Sequence, residues 1–225
     1  MNQKQDFFTA LGGRVKFRHG NYNLTSDAVW LAAFAAGKKA KTILDVGIGT
    51  GGAALCLLAH NSNLQATGID ISESMLAECA ENAKLNGREL ELIRVDIFKW
   101  KTNRTFDAVI TNPPYFKGSA ARHNAHHNAD IYEWTQKCLK RVRPRGYFFT
   151  IVDSAVADQI IAALHAGRAG EIEIRPLFGA KNIAERVLIS ARLGVKTGTK
   201  IFAGRQMNDE MVLRDGLTFG ENVLY

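Results

Sequence analysis

The eight residues Asp45-Val46-Gly47-Ile48-Gly49-Thr50-Gly51-Gly52, entered directly from the apolar run that begins at Thr42, constrain the fold of this chain more than any other stretch. Glycine at this density suits a chain that turns sharply from strand into helix, with a backbone that approaches a ligand more closely than a Cβ would permit. From residue 42 onward, short apolar runs alternate with helical patterns, the signature of βαβ units and a parallel sheet. Strands are expected from Thr42 to Val46, Gln65 to Ile69, Glu91 to Val95, Phe106 to Thr111 and Tyr147 to Val152, with helices in the gaps. The clearest helix has Ser72 as its cap, places Met75, Leu76, Cys79, Ala80 and Ala83 at three-to-four spacing, and stops at Gly87. Two further strands, Glu171 to Leu177 and Arg186 to Arg192, are joined by a loop instead of a crossover helix, so they should be antiparallel. The fold class expected is α/β: a doubly wound, seven-stranded Rossmann-like sheet with helices on both faces and its last two strands antiparallel.

Ahead of this unit, residues 14–18 and 22–24 alternate around His19-Gly20-Asn21 and read as a hairpin, followed by a helix from Asp27 to Gly37. The division expected is a hairpin and lid helix over 1–40, then one globular unit over 41–225. After residue 194 the pattern is weak, apart from a short apolar element from Met211 to Leu213. No run approaches the roughly eighteen apolar residues that cross a bilayer. The first residues also lack the order of a secretory signal, so a cytoplasmic protein is expected. Cys56, Cys79 and Cys138 lie far apart without C-x-x-C spacing and read as small core residues, not as disulfide or zinc partners.

Gly47, Gly49 and Gly52 also satisfy the G-x-G-x-x-G dinucleotide pattern, so the loop by itself does not choose a cofactor. Two strand ends narrow the choice. Asp70 closes the second strand, where its two acceptor oxygens can hold both hydroxyls of a ribose, with Ile71 beside it. Asp96 closes the third, where it can accept from an adenine amine while Ile97 packs on the ring. Any one of these acids alone is an ordinary strand-end residue; three in register fall where ligands bind in this architecture. The pattern resembles the class I methyltransferases that use S-adenosylmethionine, whose first motif D-x-G-x-G-x-G corresponds to Asp45, Gly47, Gly49 and Gly51. That resemblance implies Asp45 and the glycine loop around the methionine end, Asp70 on the ribose and Asp96 near the adenine.

The fourth strand leads directly into Asn112-Pro113-Pro114-Tyr115. The exocyclic amine of a purine is a poor nucleophile because its lone pair is delocalised into the ring. If the Asn112 side-chain oxygen and the Pro113 carbonyl each accept one N–H, the nitrogen is drawn toward tetrahedral geometry and its lone pair turns toward the methyl group. The prolines fix φ near −65°, which keeps the carbonyls aimed, and Tyr115 offers a face for base stacking. The bland alternative is a strand-ending turn. The stretch resembles the tetrapeptide of methyltransferase families whose acceptor is an adenine, cytosine or guanine amine or a glutamine amide, and that resemblance does not choose among them.

Charge bears on that choice. Between Arg94 and Arg145 there are eleven Lys and Arg against four Asp and Glu, which accounts for the whole net charge of +7. Lys117, Arg122, Lys140, Arg141 and Arg143 flank Asn112 in sequence and are candidate RNA contacts, with a solvated basic surface as the alternative. His123, His126 and His127 have no carboxylate or thiolate partner at ligand spacing, so no metal site is expected. Over nearly its full length the chain resembles the bacterial tRNA(Val) adenine-37 N6-methyltransferase family. The resemblance runs from the opening hairpin and Leu24-Thr25-Ser26-Asp27-Ala28 through the two motifs to Arg143-Pro144-Arg145-Gly146. It implies methyl transfer from S-adenosylmethionine to an adenine amine in RNA, with Thr25 and Asp27 as cofactor-lid residues. Four other functions compete: protein glutamine methylation, methylation of another nucleic-acid amine, a nicotinamide oxidoreductase, which leaves Asn112 to Tyr115 unexplained, and a non-catalytic RNA-binding module.

Overall fold

The computed structural model describes residues 6–20, 24–114 and 131–219. It begins with an antiparallel hairpin, β1 (Phe7–Ala10) and β2 (Val15–Arg18). The turn is Leu11-Gly12-Gly13-Arg14; the hairpin expected around His19-Gly20-Asn21 has residues 21–23 outside the described residues. Leu11, Gly12 and Gly13 have φ of 51°, 62° and 91°, a left-handed run that two adjacent glycines accept without steric cost. Val15 and Phe17 of β2 point into the core. The open edge of β2 is completed by amide side chains from a helix. Lys16 N donates to Asn86 Oδ1 at 2.8 Å, Asn86 Nδ2 donates to Lys16 O at 2.7 Å, and Arg18 N donates to Asn82 Oδ1 at 2.9 Å.

The main unit then alternates: α1 (Ser26–Ala36), β3 (Thr42–Val46), α2 (Gly52–His60), β4 (Gln65–Asp70), α3 (Glu73–Leu85), β5 (Glu91–Arg94), β6 (Phe106–Thr111), α4 (Ile131–Leu139), β7 (Val142–Asp153) and α5 (Ala157–Ala166). It closes with β8 (Ala169–Phe178), β9 (Ala184–Leu193), β10 (Lys200–Ile201), β11 (Arg205–Gln206) and α6 (Glu210–Leu213). The sheet order is β10-β8-β9-β7-β6-β3-β4-β5, with β11 also on β8. All the pairings are parallel except those of β9, which runs against both β7 and β8. The seven expected strands are therefore present, the last inserted between the fifth and sixth. The two-residue β10 and β11 had no sequence pattern to announce them.

Period-two alternation divides the core between the two faces of the sheet. Ile43, Ala108, Ile110, Phe149 and Ile151 pack under α1 and α2, whereas Leu44, Val46, Val109, Phe148 and Val152 pack under α4 and α5. β7 begins at Val142, five residues earlier than expected, because the strand tolerates Pro144 and a left-handed Arg145 (φ 62°) where its register with β6 shifts. No helix among the described residues is long and apolar enough to cross a membrane.

Candidate active site

A cavity of about 820 Å³ opens where β3, β4, β5 and β6 end, with the amino-terminal end of α1 on its rim. Its floor is the glycine loop. Gly47 N and Ile48 N both donate to Ile69 O, at 2.9 and 3.0 Å, which straps the loop to β4. Asp70 finishes the strapping: Oδ2 accepts from Gly49 N and Oδ1 from Ser72 N, each at 2.9 Å. The carboxylate assigned from sequence to ribose hydroxyls thus also shapes the loop, and retains a lone pair on each oxygen for a ligand.

The glycines have different reasons to be glycine. Gly47 (φ 76°) faces open cavity, since a Cβ there would meet only the Trp134 ring at 3.7 Å. Gly51 (φ 90°) does not line the cavity; a Cβ there would come within 2.9 Å of Cys79 Sγ, so its smallness serves the packing of α3 beneath the loop.

Asp45 is the chemically unusual group. It lines the cavity at 2% exposure, and its Oδ2 has no hydrogen-bond partner among the described residues. Burial pushes its pKa up to about 7; the Ala54 amide pulls down and the charge of Asp70 adds a further rise. A buried carboxylate oxygen without a donor, in the wall of a cleft, calls for a cationic or N–H donor from a ligand.

Thr25 lines the cavity, and its side chain makes no cap hydrogen bond to α1, so the hydroxyl is not committed to the helix. Ile71, Asp96 and Ile97 also line the cavity. Asp96 Oδ1 accepts from Phe98 N at 2.9 Å. Asn112 and Pro114 line the cavity as well, and Pro113 between them is buried and is not itself a lining residue. Tyr115, Lys117, Arg122 and the three loop histidines lie outside the described residues.

Besides Gly51, four expectations are not met at the cavity. Asp27 is buried away from it, with Oδ2 accepting from Arg186 Nε at 3.0 Å, so it ties α1 to β9. Lys140, Arg141 and Arg143 sit at the opposite end of the sheet. Arg143 Nε pairs with Asp107 Oδ1 at 2.6 Å, and Arg141 donates to Thr102 O. The cause is topological, since a crossover helix returns the chain to the amino-terminal end before the next parallel strand begins. Residues close to Asn112 in sequence thereby land about 17 Å from it, five residues away along β6 at the strand rise.

Conversely, sequence reasoning missed Thr111 and Trp134. Thr111 Oγ1 donates to Val46 O at 2.8 Å and accepts from Trp134 Nε1 at 3.1 Å, and the Phe98 ring meets the indole edge-on at 5.9 Å. This chain of contacts fixes the end of β6 against the glycine loop. An isolated Trp on an amphipathic helix carries no signal of it.

The model of the methyltransferase small domain matches residues 19–159, more than half of the chain. The chain belongs to that family. The match is to a methyltransferase domain and lends nothing to the nicotinamide reading. The tRNA1(Val) (adenine(37)-N6)-methyltransferase of Glaesserella parasuis is 26% identical over 151 residues, 63% of this chain, which spans 64% of that relative's length. The release factor glutamine methyltransferase of Lactococcus lactis is 38% identical over 78 residues, covering 35% of this chain and 28% of its own. Among solved structures, a predicted O-methyltransferase from Agrobacterium tumefaciens superposes with a TM-score of 0.70 over 88% of this chain and 100% of its own, at 21% identity. That likeness is one of fold.

Proposed function

We propose that this methyltransferase carries the methyl group of S-adenosylmethionine to the exocyclic amine of an adenine in RNA, most simply a tRNA. The observation that supports this is a single one: Asn112 and Pro114 line the same cavity as Asp45, Gly47, Asp70 and Asp96. The residues fit the cofactor. The donor-less Asp45 Oδ2 suits an amino-acid ammonium, the bare backbone at Gly47 admits close approach, Asp70 keeps acceptor capacity for ribose hydroxyls, and Ile97 offers an apolar surface for a ring.

When bound, the sulfonium supplies an electrophilic methyl carbon and a neutral thioether leaving group. The chain's contribution is positioning and polarisation. The Asn112 side-chain oxygen and the Pro113 carbonyl accept the two N–H bonds of the amine, so its lone pair is directed across the cavity. As the C–N bond forms, the nitrogen becomes cationic; the same two oxygens stabilise that charge, and one proton leaves to water. Thr111 and Trp134 are positioning residues that hold this wall at a set distance from the loop.

RNA is favoured over a protein glutamine because the longer of the two sequence matches is to an adenine-specific tRNA enzyme. The test is transfer of tritiated methyl to total RNA, total protein and DNA in parallel, followed by mass analysis of hydrolysates. N6-methyladenosine from RNA is expected. Label found only as methylglutamine, or RNA binding with no label at all, would refute the reading.

A further inference from the structure

The strand ends opposite the cavity form a second chemical surface. Lys41 precedes β3, Arg104 precedes β6, Arg145 sits near the start of β7, Arg168 precedes β8, and Arg192 lies at the close of β9. Bonds to main-chain carbonyls hold these turns together: Phe106 N donates to Arg141 O at 2.8 Å, Gly194 N to Arg168 O at 3.0 Å, and the Arg192 side chain, through Nε, to Arg145 O at 2.9 Å. Residues 38–41, 88–91, 101–107, 140–145, 168–173 and 192–196 contribute thirteen Lys and Arg against five Asp and Glu. That excess of eight exceeds the net +7 of the entire chain, so the remainder is slightly acidic. The positive charge is gathered at one pole.

Helix dipoles do not account for it. Their negative ends attract cations only within the last turn, and His60, Lys84, Lys137 and His165 already occupy those turns. Lys39, Lys41, Lys101, Lys140, Arg145 and Lys196 are exposed and form no ion pair among the described residues. Aromatic faces are interleaved with the cations. Tyr147 lies between Lys38 Nζ at 5.9 Å and Arg192 Cζ at 5.2 Å, and Trp100 faces Arg141 Cζ at 5.7 Å. Arg145, Arg168 and Glu171 at this pole also hold left-handed backbone, φ 62°, 58° and 50°, where glycine or asparagine would be less strained, and two of the three are exposed cations. Strained positions that present cations outward point to a use for the charge.

We infer that the amino-terminal pole of the sheet is a docking surface for the phosphate backbone of a double-stranded RNA segment. Under the proposed function this segment is a stem adjoining the loop that delivers the acceptor adenine. Phosphates supply closely spaced charge that releases counterions when met by Lys and Arg, and the pole reads no base.

Two variants test it: Arg145→Asn/Arg168→Asn, which removes charge while relieving strain, and Lys101→Glu/Lys140→Glu/Lys196→Glu. The probe is a fluorescein-labelled RNA duplex lacking any loop, titrated over a range of salt without cofactor. For both variants Kd should rise roughly tenfold near 0.1 M salt, and the plot of log Kd against log salt should flatten by about two. The Asn variant should melt no lower than the parent, and both should bind S-adenosylhomocysteine as the parent does. Unchanged Kd and slope overturn the inference. So does loss of binding to phosphatidylserine vesicles while duplex binding persists. The outcome is separable from the methyl-transfer reading: a chain that methylates no RNA while its duplex Kd responds keeps the pole and loses the acceptor, and the reverse pattern does the opposite.

Discussion

Replacing Asp45 by Asn should stabilise the free protein at alkaline pH and weaken its affinity for cofactor. Burial raises the Asp45 pKa from 3.8 to about 7. Between those values the folded state holds a proton that the unfolded state has lost, so stability falls as pH rises through this window. The contribution is complete below about pH 4, declines by about 1.4 kcal/mol per pH unit, and is gone above about pH 7, a total of about 4 kcal/mol. Asn is neutral throughout, so the gap between variant and parent should be small near pH 4 and reach about 4 kcal/mol at pH 8. For a chain of this length that corresponds to a rise in Tm of roughly 10 °C. Binding reverses the sign. A ligand ammonium beside Oδ2 favours the ionised carboxylate, so S-adenosylhomocysteine should bind the parent more weakly as pH falls below 7. It should bind the variant about a hundredfold more weakly at pH 8. Differential scanning fluorimetry at pH 5 and pH 8, with and without S-adenosylhomocysteine, measures all of this. A Tm gap of the same size at both pH values would refute the burial argument. An equal ligand-induced shift in both proteins would refute the assignment of Asp45 to the ammonium.

Asn112→Ala should remove turnover by a factor of at least about 10³, the scale of losing one preorganised polar contact at the reacting atoms, while isothermal titration finds S-adenosylhomocysteine affinity almost unchanged; an equal loss of affinity would mean that Asn112 serves the cofactor. Trp134→Phe keeps the ring and deletes the N–H that donates to Thr111, so kcat should fall several-fold with KM for S-adenosylmethionine preserved, and Thr111→Val in the same background should add little; additive losses would dissolve the proposed coupling. Asp70→Asn leaves one oxygen to serve the amides of Gly49 and Ser72, so hydrogen exchange at the glycine loop should accelerate even without ligand, and unchanged protection would show that the loop needs no strap.

The strands of the parallel sheet, the glycine turn after β3 and the acids closing β4 and β5 were legible because each is governed by local rules. Buried strands demand apolar runs of limited length, left-handed turns demand glycine, and a strand end is the next residue along. The first hairpin obeys such a rule too, since Gly12-Gly13 supplies the left-handed turn between β1 and β2.

What the chain order could not contain is where distant segments meet. Asp70 as a strap on Gly49, Asn82 and Asn86 as the edge partner of β2, Gly51 as a seat for Cys79, and Trp134 as a brace for Thr111 all pair residues 21 to 70 positions apart across elements. The basic residues near Asn112 make the same point in reverse. A crossover helix carries the chain from one end of the sheet to the other, so Lys140, Arg141 and Arg143 belong to the pole opposite the cavity. The sequence determined which residues could turn, cap, bury or ionise. Only the winding of parallel strands, which needs each return to start from the same end, decided which of them face one another.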